Sequence, residues 1–337
     1  MPSKTGILLI QLGTPDSPSV PDVRKYLFEF LNDPRVIDIP WLLRKILVNI
    51  IIVPFRAPKS AKIYKALWTD NGSPLLYYSE ILKEKLQKRL GSDFEVELGM
   101  RYQNPSLDNI LEKMRKKNYD KIVVFPLFPQ YASASTGSAL DKVMKIIKKW
   151  TVIPEIKLIS EFHNNEDYIN TVAARSTNYN IDDYDHVLFS YHGLPTRQLN
   201  NIHSPGYTCD MLNCKPINDG NKFCYRAQCF STTRLIAEKL KIPEKKYTVC
   251  FQSRLDKKWI EPFSDKVIIK KAKEGAKKLL VFSPAFVADC LETTIEIGDE
   301  YNTLFKEHGG EKVQLVESLN DKDDWVDAVN KIILKSL

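Results

Sequence analysis

The sequence predicts an α/β fold of two domains, each a four-stranded parallel sheet flanked by helices. Three observations predict it. Short apolar runs alternate with long amphipathic stretches along the 337 residues. The alternation divides near residue 160, with four strand candidates on either side. Both halves open with one device, an apolar strand running into a Gly- and Pro-containing turn: Leu9–Pro15, and Leu188–Pro195. Strand–helix alternation with long connections implies parallel strands covered on both faces.

In the first half the strand candidates are Gly6–Gln11, Glu95–Arg101, Lys121–Phe125 and Glu155–Ile159. Each is a short run rich in aliphatic residues with turn residues nearby. The helix candidates between them are Val20–Leu31, Tyr78–Arg89, Ser106–Lys117 and Ser138–Lys149. In the second half the strands are His186–Tyr191, Tyr247–Gln252, Lys278–Phe282 and Val313–Leu315. Its helices are Asn165–Thr177, Ser231–Leu240 and Ser264–Glu274, with Trp325–Leu337 closing the chain. In open α/β sheets the carboxyl ends of the strands carry the site. Two such domains facing one another would enclose a cleft.

Composition excludes several classes. Apolar residues make up 43% and charged residues 27%, as in a folded water-soluble protein. The net charge of +7 is spread along the chain, with no long basic block interleaved with aromatics, so nucleic acid is not an expected partner. A mild basic excess suits an acidic small substrate or an anionic membrane surface. No targeting signal is recognised, and the most apolar window, Ile46–Phe55, is far shorter than the ~20 residues of a spanning helix. A cytoplasm-like compartment is therefore expected. There, the six cysteines are metal ligands or plain thiols rather than disulfides. No Gly-x-Ser-x-Gly elbow supports a serine hydrolase.

Four features could carry chemistry. The first is Ser190–Tyr191–His192–Gly193–Leu194–Pro195. A histidine at the end of a buried strand is either a packed turn residue or a base at neutral pH. The second is the acidic segment Asp289–Glu300. On an α-helix Asp289, Glu292, Glu296 and Asp299 stand at i, i+3, i+7 and i+10, in one row. The row is either a solvated face or a relay for protons and cations, because clustered carboxylates raise one another's pKa. Imidazole and carboxylates together suit Fe, Mn or Zn.

The third feature is Cys209, Cys214, Cys224 and Cys229, in the pattern C-x4-C-x9-C-x4-C within 21 residues. It reads either as zinc or iron–sulfur ligands or as thiols in a Gly/Asn/Pro-rich loop. Cys250 is expected in a strand core, and Cys290 either packs or stands beside the acidic side chains. The fourth feature is Trp41–Phe55, with Arg44 and Lys45 interrupting an apolar run. At helical spacing it gives a broad apolar face with a basic edge. That is a buried helix, or a lip that touches a membrane or admits an apolar ligand.

These features together resemble the ferrochelatases, nearly end to end. The likeness rests on Gln11–Leu12–Gly13–Thr14–Pro15, Asn71–Gly72–Ser73–Pro74, Arg101–Tyr102, Pro129–Gln130–Tyr131 and Ser135–Thr136–Gly137–Ser138. It continues through the His192 turn, Phe251–Gln252–Ser253–Arg254 and Asp289–Cys290–Leu291–Glu292–Thr293. The resemblance implies two Rossmann-like, chelatase-type domains with the porphyrin in the cleft between them. They would be residues 1–160 and 161–317, with helix 318–337 packing back on the first.

It implies insertion of ferrous iron into protoporphyrin IX with release of two protons, the last step of haem biosynthesis. His192 and Glu292 would form the metal site, with Glu296 extending the acidic row. Arg101, Tyr131, Ser73, Ser253 and Leu12 would contact the porphyrin. Two departures stand out. Cys290 occupies a position that is histidine in many members, and the chain has no cysteine after it. Some bacterial members carry cluster ligands internally, so Cys209, Cys214, Cys224 and Cys229 are expected to hold a 2Fe–2S cluster. The lip implies peripheral contact with the inner membrane by a monomer or homodimer. A coproporphyrin ferrochelatase and a non-catalytic tetrapyrrole carrier are the alternatives. The carrier would need no acidic row.

Overall fold

The computed structural model describes residues 4–199, 202–204 and 214–337. Cys209 lies outside the described residues. The chain forms two compact units: Met1–Phe128 with Ala132–Glu161 and Asn320–Leu337, and Pro129–Tyr131 with Phe162–Leu319.

The first unit holds strands β1 (Thr5–Gly13), β2 (Phe94–Tyr102), β3 (Lys121–Pro126) and β4 (Glu155–Leu158) in the order β2-β1-β3-β4, all parallel. The central position of β1 follows from its sequence. Ile7, Leu8, Leu9 and Ile10 are apolar on both faces, and all four are fully buried. Gly13 ends the strand at φ +115°, where a Cβ would stand 2.0 Å from the Tyr102 carbonyl oxygen. Only glycine permits that approach.

The helices of this unit are α1 (Val20–Leu31), α2 (Trp41–Ile46), α3 (Val53–Leu67), α4 (Pro74–Leu90), α5 (Leu107–Arg115) and α6 (Ser138–Ile147). Ser19 and Ser106 cap α1 and α5, accepting from the amides of Asp22 and Asn109. In α5, Leu107, Leu111 and Met114 stand at i, i+4 and i+7 and pack with Val143 and Ile147 of α6 on Leu8 and Ile10. The C-terminal helix Asp323–Ser336 packs on α4 through Lys85–Asp323 at 3.3 Å and Arg89–Asp327 at 2.8 Å.

The second unit repeats the pattern. Its strands β5 (His186–His192), β6 (Tyr247–Gln252), β7 (Lys278–Phe282) and β8 (Lys312–Leu315) run parallel in the order β6-β5-β7-β8. Its helices are α7 (Glu166–Ala174), α8 (Tyr225–Lys239), α9 (Ser264–Lys273) and α10 (Asn302–Glu307); α11 (Asp323–Ser336) ends the chain.

Three expectations are corrected. The segment from Trp41 does not stop at Phe55: α2, a π-helical stretch Leu47–Ile52 and α3 follow without a break to Leu67. Its apolar side is exposed, as the lip reading expects and the buried-helix reading does not, but its basic edge is not as expected. Trp41 is 64% and Phe55 74% exposed, whereas Arg44 is 6% exposed and donates to the carbonyls of Ile37 and Ile39 at 3.3 and 3.0 Å. Arg44 therefore faces inward rather than forming part of a basic edge. Cys229 lies within α8 rather than in a loop, and Cys224 is the last residue before that helix. Buried polar residues at the start of α8, such as Arg226 and Gln228, mask its amphipathic pattern. The acidic segment is not an α-helix but an eleven-residue π-helix, Leu291–Tyr301.

Candidate active site

His192 is the last residue of β5, and Gln252, the last of β6, is its partner across the ladder. The chain leaves His192 through Gly193, whose amide donates to the Gln252 carbonyl at 2.8 Å. A Cβ at 193 would meet that oxygen at 2.8 Å, so the turn requires glycine. Nδ1 of His192 lies 2.6 Å from the carbonyl oxygen of Gly193. A carbonyl only accepts, so Nδ1 carries the proton and the neutral ring keeps its lone pair at Nε2. The rings of Trp259 and Phe286 flank it, with centroids at 6.2 and 6.5 Å.

The π-helix Leu291–Tyr301 buries Ile297 and Tyr301 against Leu188, Val281 and Val313 of the sheet. Bonding from i to i+5 adds about one residue per turn over the 3.6 of an α-helix. That redraws the acidic row. At roughly 4.4 residues per turn, Glu292, Glu296 and Glu300 share one side and Asp299 turns away from them. The single row Asp289–Glu292–Glu296–Asp299 is therefore not formed, and Glu300 takes the place given to Asp299. Asp289 precedes the helix. The carboxyl of Glu300 is raised above its ordinary range by burial and by the charges of Glu296 and Asp299.

Four donors hold the Glu296 carboxylate. Oε1 accepts from the Ser253 amide at 2.8 Å and the Tyr301 hydroxyl at 2.9 Å. Oε2 accepts from Gln252 Nε2 at 3.0 Å and Ser253 Oγ at 2.5 Å. Ser253 reaches both oxygens from a left-handed backbone, φ +59°. Gln252 Nε2 also donates to the Glu292 carbonyl at 2.9 Å. The buried thiol of Cys290 is pushed well up by burial and then by the charge of Glu292, with which it shares a hydrogen bond. It stays protonated beside that carboxylate. His192, Ser253, Glu292 and Glu296 are thus brought together around Gln252.

Tyr131 is also in this unit, its amide donating to Gln228 Oε1 at 2.6 Å. The other substrate-contact candidates, Leu12, Ser73 and Arg101, belong to the first unit. Leu12 lies near the end of β1, and Ser73 precedes α4 and accepts from Thr14 Oγ1 at 2.9 Å. Arg101 already has several partners. Its Nη2 meets Asp33 at 2.5 Å, its Nε meets Ser138 Oγ at 2.7 Å, and its guanidinium lies over the Tyr102 ring at 4.4 Å. Asp33 also accepts from Ser138 Oγ at 2.5 Å, Tyr102 Oη at 2.9 Å and the Arg35 amide at 2.8 Å. Burial raises its carboxyl, but these donors outweigh that and hold it below the usual range. Beside the pair is an open cavity of about 310 Å³ that Phe28, Asn32 and Lys145 help to line.

Of the four cysteines, Cys224 and Cys229 are buried and Cys214 is half-buried. Burial pushes the Cys229 thiol far up, and nearby Cys224 and Cys214 add to that. Among the described residues, no group of three or more His, Cys, Asp or Glu side chains converges as a metal site.

Sequence reasoning met Gln252 only as part of the strand-end run Phe251–Gln252–Ser253–Arg254, with no role of its own, and did not single out Tyr301, Tyr225 or Asp33. Only Gln252 left a signal, as a polar residue ending an apolar strand beside Ser253.

A ferrochelatase family profile matches residues 4–337. A ferrochelatase of Coxiella burnetii (strain Dugway 5J108-111) is 47% identical over 338 residues, 99% of this chain and 94% of that protein. A ferrochelatase of Legionella pneumophila (strain Corby) is 44% identical over 334 residues, 98% of each. Among solved structures, SirB from Bacillus subtilis with Fe3+ superposes with a TM-score of 0.57 at 13% identity. It covers 99% of this chain and 95% of that one, a likeness of fold. The chain belongs to the ferrochelatase family, the lyases that insert iron into a porphyrin in haem synthesis.

Proposed function

We propose that the porphyrin is protoporphyrin IX and that His192, Glu292 and Glu296 carry the reaction. The macrocycle gives up two pyrrole N–H protons as ferrous iron enters, so two acceptors are needed. His192 takes the first at Nε2, the nitrogen its contact with Gly193 leaves basic. Glu292 faces the entering metal and takes the second, and Glu296 leads protons or iron along the helix. Arg101, Tyr131, Ser73, Ser253 and Leu12 hold the porphyrin. The observation that carries this reading is the assembly of the His192 turn and the Glu292–Glu296 turn around one buried glutamine, Gln252.

The test is loss of protoporphyrin fluorescence with ferrous iron under anaerobic conditions, for the wild type and His192→Ala. Wild-type turnover that falls at least a hundredfold in the variant supports the assignment. Equal turnover in both removes His192 as the base. Binding without turnover in the wild type points to a carrier.

Two finer readings accompany it. The exposed apolar side of Trp41–Phe55 suits peripheral contact with a membrane from the cytoplasmic side. No helix among the described residues is long and apolar enough to cross one. Cys209, Cys214, Cys224 and Cys229 would be the ligands of a 2Fe–2S cluster. The C-x4-C-x9-C-x4-C spacing, with Cys224 at the start of α8 and Cys229 inside it, supports this reading. When bound, the cluster would cross-link the 209–229 segment to α8 and take no part in proton transfer. Two irons and two sulfides per chain, lost in Cys229→Ser, are expected. Iron near zero in intact anaerobic protein would remove the cluster.

A further inference from the structure

Gln252 is 1% exposed, and its backbone carbonyl and both side-chain amide atoms are engaged. The backbone carbonyl accepts from Gly193 at 2.8 Å, fixing the turn that aims His192. Oε1 accepts from Ser190 Oγ at 2.6 Å. Nε2 donates to the Glu292 carbonyl at 2.9 Å and to Glu296 Oε2 at 3.0 Å. The two glutamate acceptors set the direction of the amide. A main-chain carbonyl and a carboxylate only accept, so the donor end must face them, and Oε1 is left to accept from the Ser190 hydroxyl. No other side chain of this length offers an acceptor on one side and two N–H donors on the other. Leucine offers neither, glutamate would set a carboxylate against the Glu296 carboxylate, and asparagine falls a methylene short.

We propose that Gln252 is a positioning residue for iron insertion. It couples the His192 turn to two successive turns of the π-helix, so that base and carboxylates keep one spacing. Gln252 has no need to touch the porphyrin. The proposal rests on the catalytic reading of His192 and Glu292 above. Its physical basis is that an error of about 1 Å between reacting groups can cost a hundredfold in rate without a matching loss of binding.

The test uses the full-length protein, ferrous iron and protoporphyrin IX, with Gln252→Leu, Gln252→Glu and Ser190→Ala. Ser190→Ala leaves Gln252 in place but removes the hydroxyl that anchors its Oε1. For the two Gln252 variants, kcat is expected to fall at least about tenfold, while the porphyrin Kd from fluorescence quenching stays within about twofold. For Ser190→Ala a fall of about threefold in kcat is expected, again at unchanged Kd. If Gln252→Leu does not fold, the other two variants decide. A folded Gln252 variant with kcat within twofold of wild type overturns the proposal. So does a porphyrin Kd that weakens in step with kcat, since that signals general distortion. A wild type that binds porphyrin without turnover overturns the catalytic reading itself, and the role of Gln252 with it.

Discussion

The hydroxyl of Tyr225 donates to the main-chain carbonyl of His192 across 2.9 Å, tying the first turn of α8 to the end of β5. Tyr225 is buried, and burial holds its phenol far above its ordinary range, so it remains a donor at any pH the fold tolerates. Tyr225→Phe keeps the ring and removes the donor. One neutral hydrogen bond contributes about 0.5–1.5 kcal/mol. We expect kcat to fall about 2- to 10-fold, with the far-UV spectrum unchanged. An unaltered kcat would show that His192 is held by its own turn alone.

Asp33 and Arg101 form a buried pair whose loss should be read in stability. Their side chains are 4% and 12% exposed, and Ser138 and Tyr102 complete the network. Removing one partner of such a pair leaves an uncompensated charge, costing about 3–5 kcal/mol. Asp33→Ala should lower the unfolding free energy obtained from urea denaturation by that amount, and adding Arg101→Met should recover part of it. A cost under about 1 kcal/mol would mean that water reaches the guanidinium in the variant.

His186 opens β5 and shares a 2.8 Å hydrogen bond with Thr248 Oγ1. Burial, and then the charge of Lys271, push its pKa down to about 4, against 6.5 in the unfolded chain. Between those values the unfolded chain binds the extra proton, so stability falls as pH drops from about 6.5 to about 4. Above 6.5 this contribution is fully present. The urea midpoint of the wild type should decline across the window, and that of His186→Gln should decline less. Parallel declines would assign the pH dependence to other groups.

The exposed lip makes a prediction about membranes rather than stability. Trp41 and Phe55 are largely in water, so replacing both with serine removes apolar contact without opening a cavity. Transfer of each ring to a lipid interface is worth about 1.5–3 kcal/mol. Trp41→Ser with Phe55→Ser should lower cosedimentation with phosphatidylglycerol vesicles at least tenfold. Turnover with detergent-solubilised porphyrin should stay within twofold. Undiminished vesicle binding would take the membrane role from this segment.

Much of this protein is determined by its sequence alone. A run such as Ile7–Ile10, short, apolar on both faces and bounded by a turn, reads as a central strand, and the eight strands appear in the sequence within two residues of their observed ends. The His192 turn and Glu292 were legible because a strand end and an acidic segment are local patterns. Three-dimensional packing decided the rest. Asp299 leaves the side shared by Glu292, Glu296 and Glu300 only because the turns of the π-helix widen, and no local periodicity announces that. Arg44 reads as a surface cation until the carbonyls of Ile37 and Ile39 claim it. Gln252 and Asp33 gain their roles from partners between 40 and 105 residues away, such as Glu292 and Ser138. The sequence determines which segments bury apolar surface, because that depends on neighbouring residues. The buried polar contacts that aim the site form between distant residues, and only the folded chain brings them together.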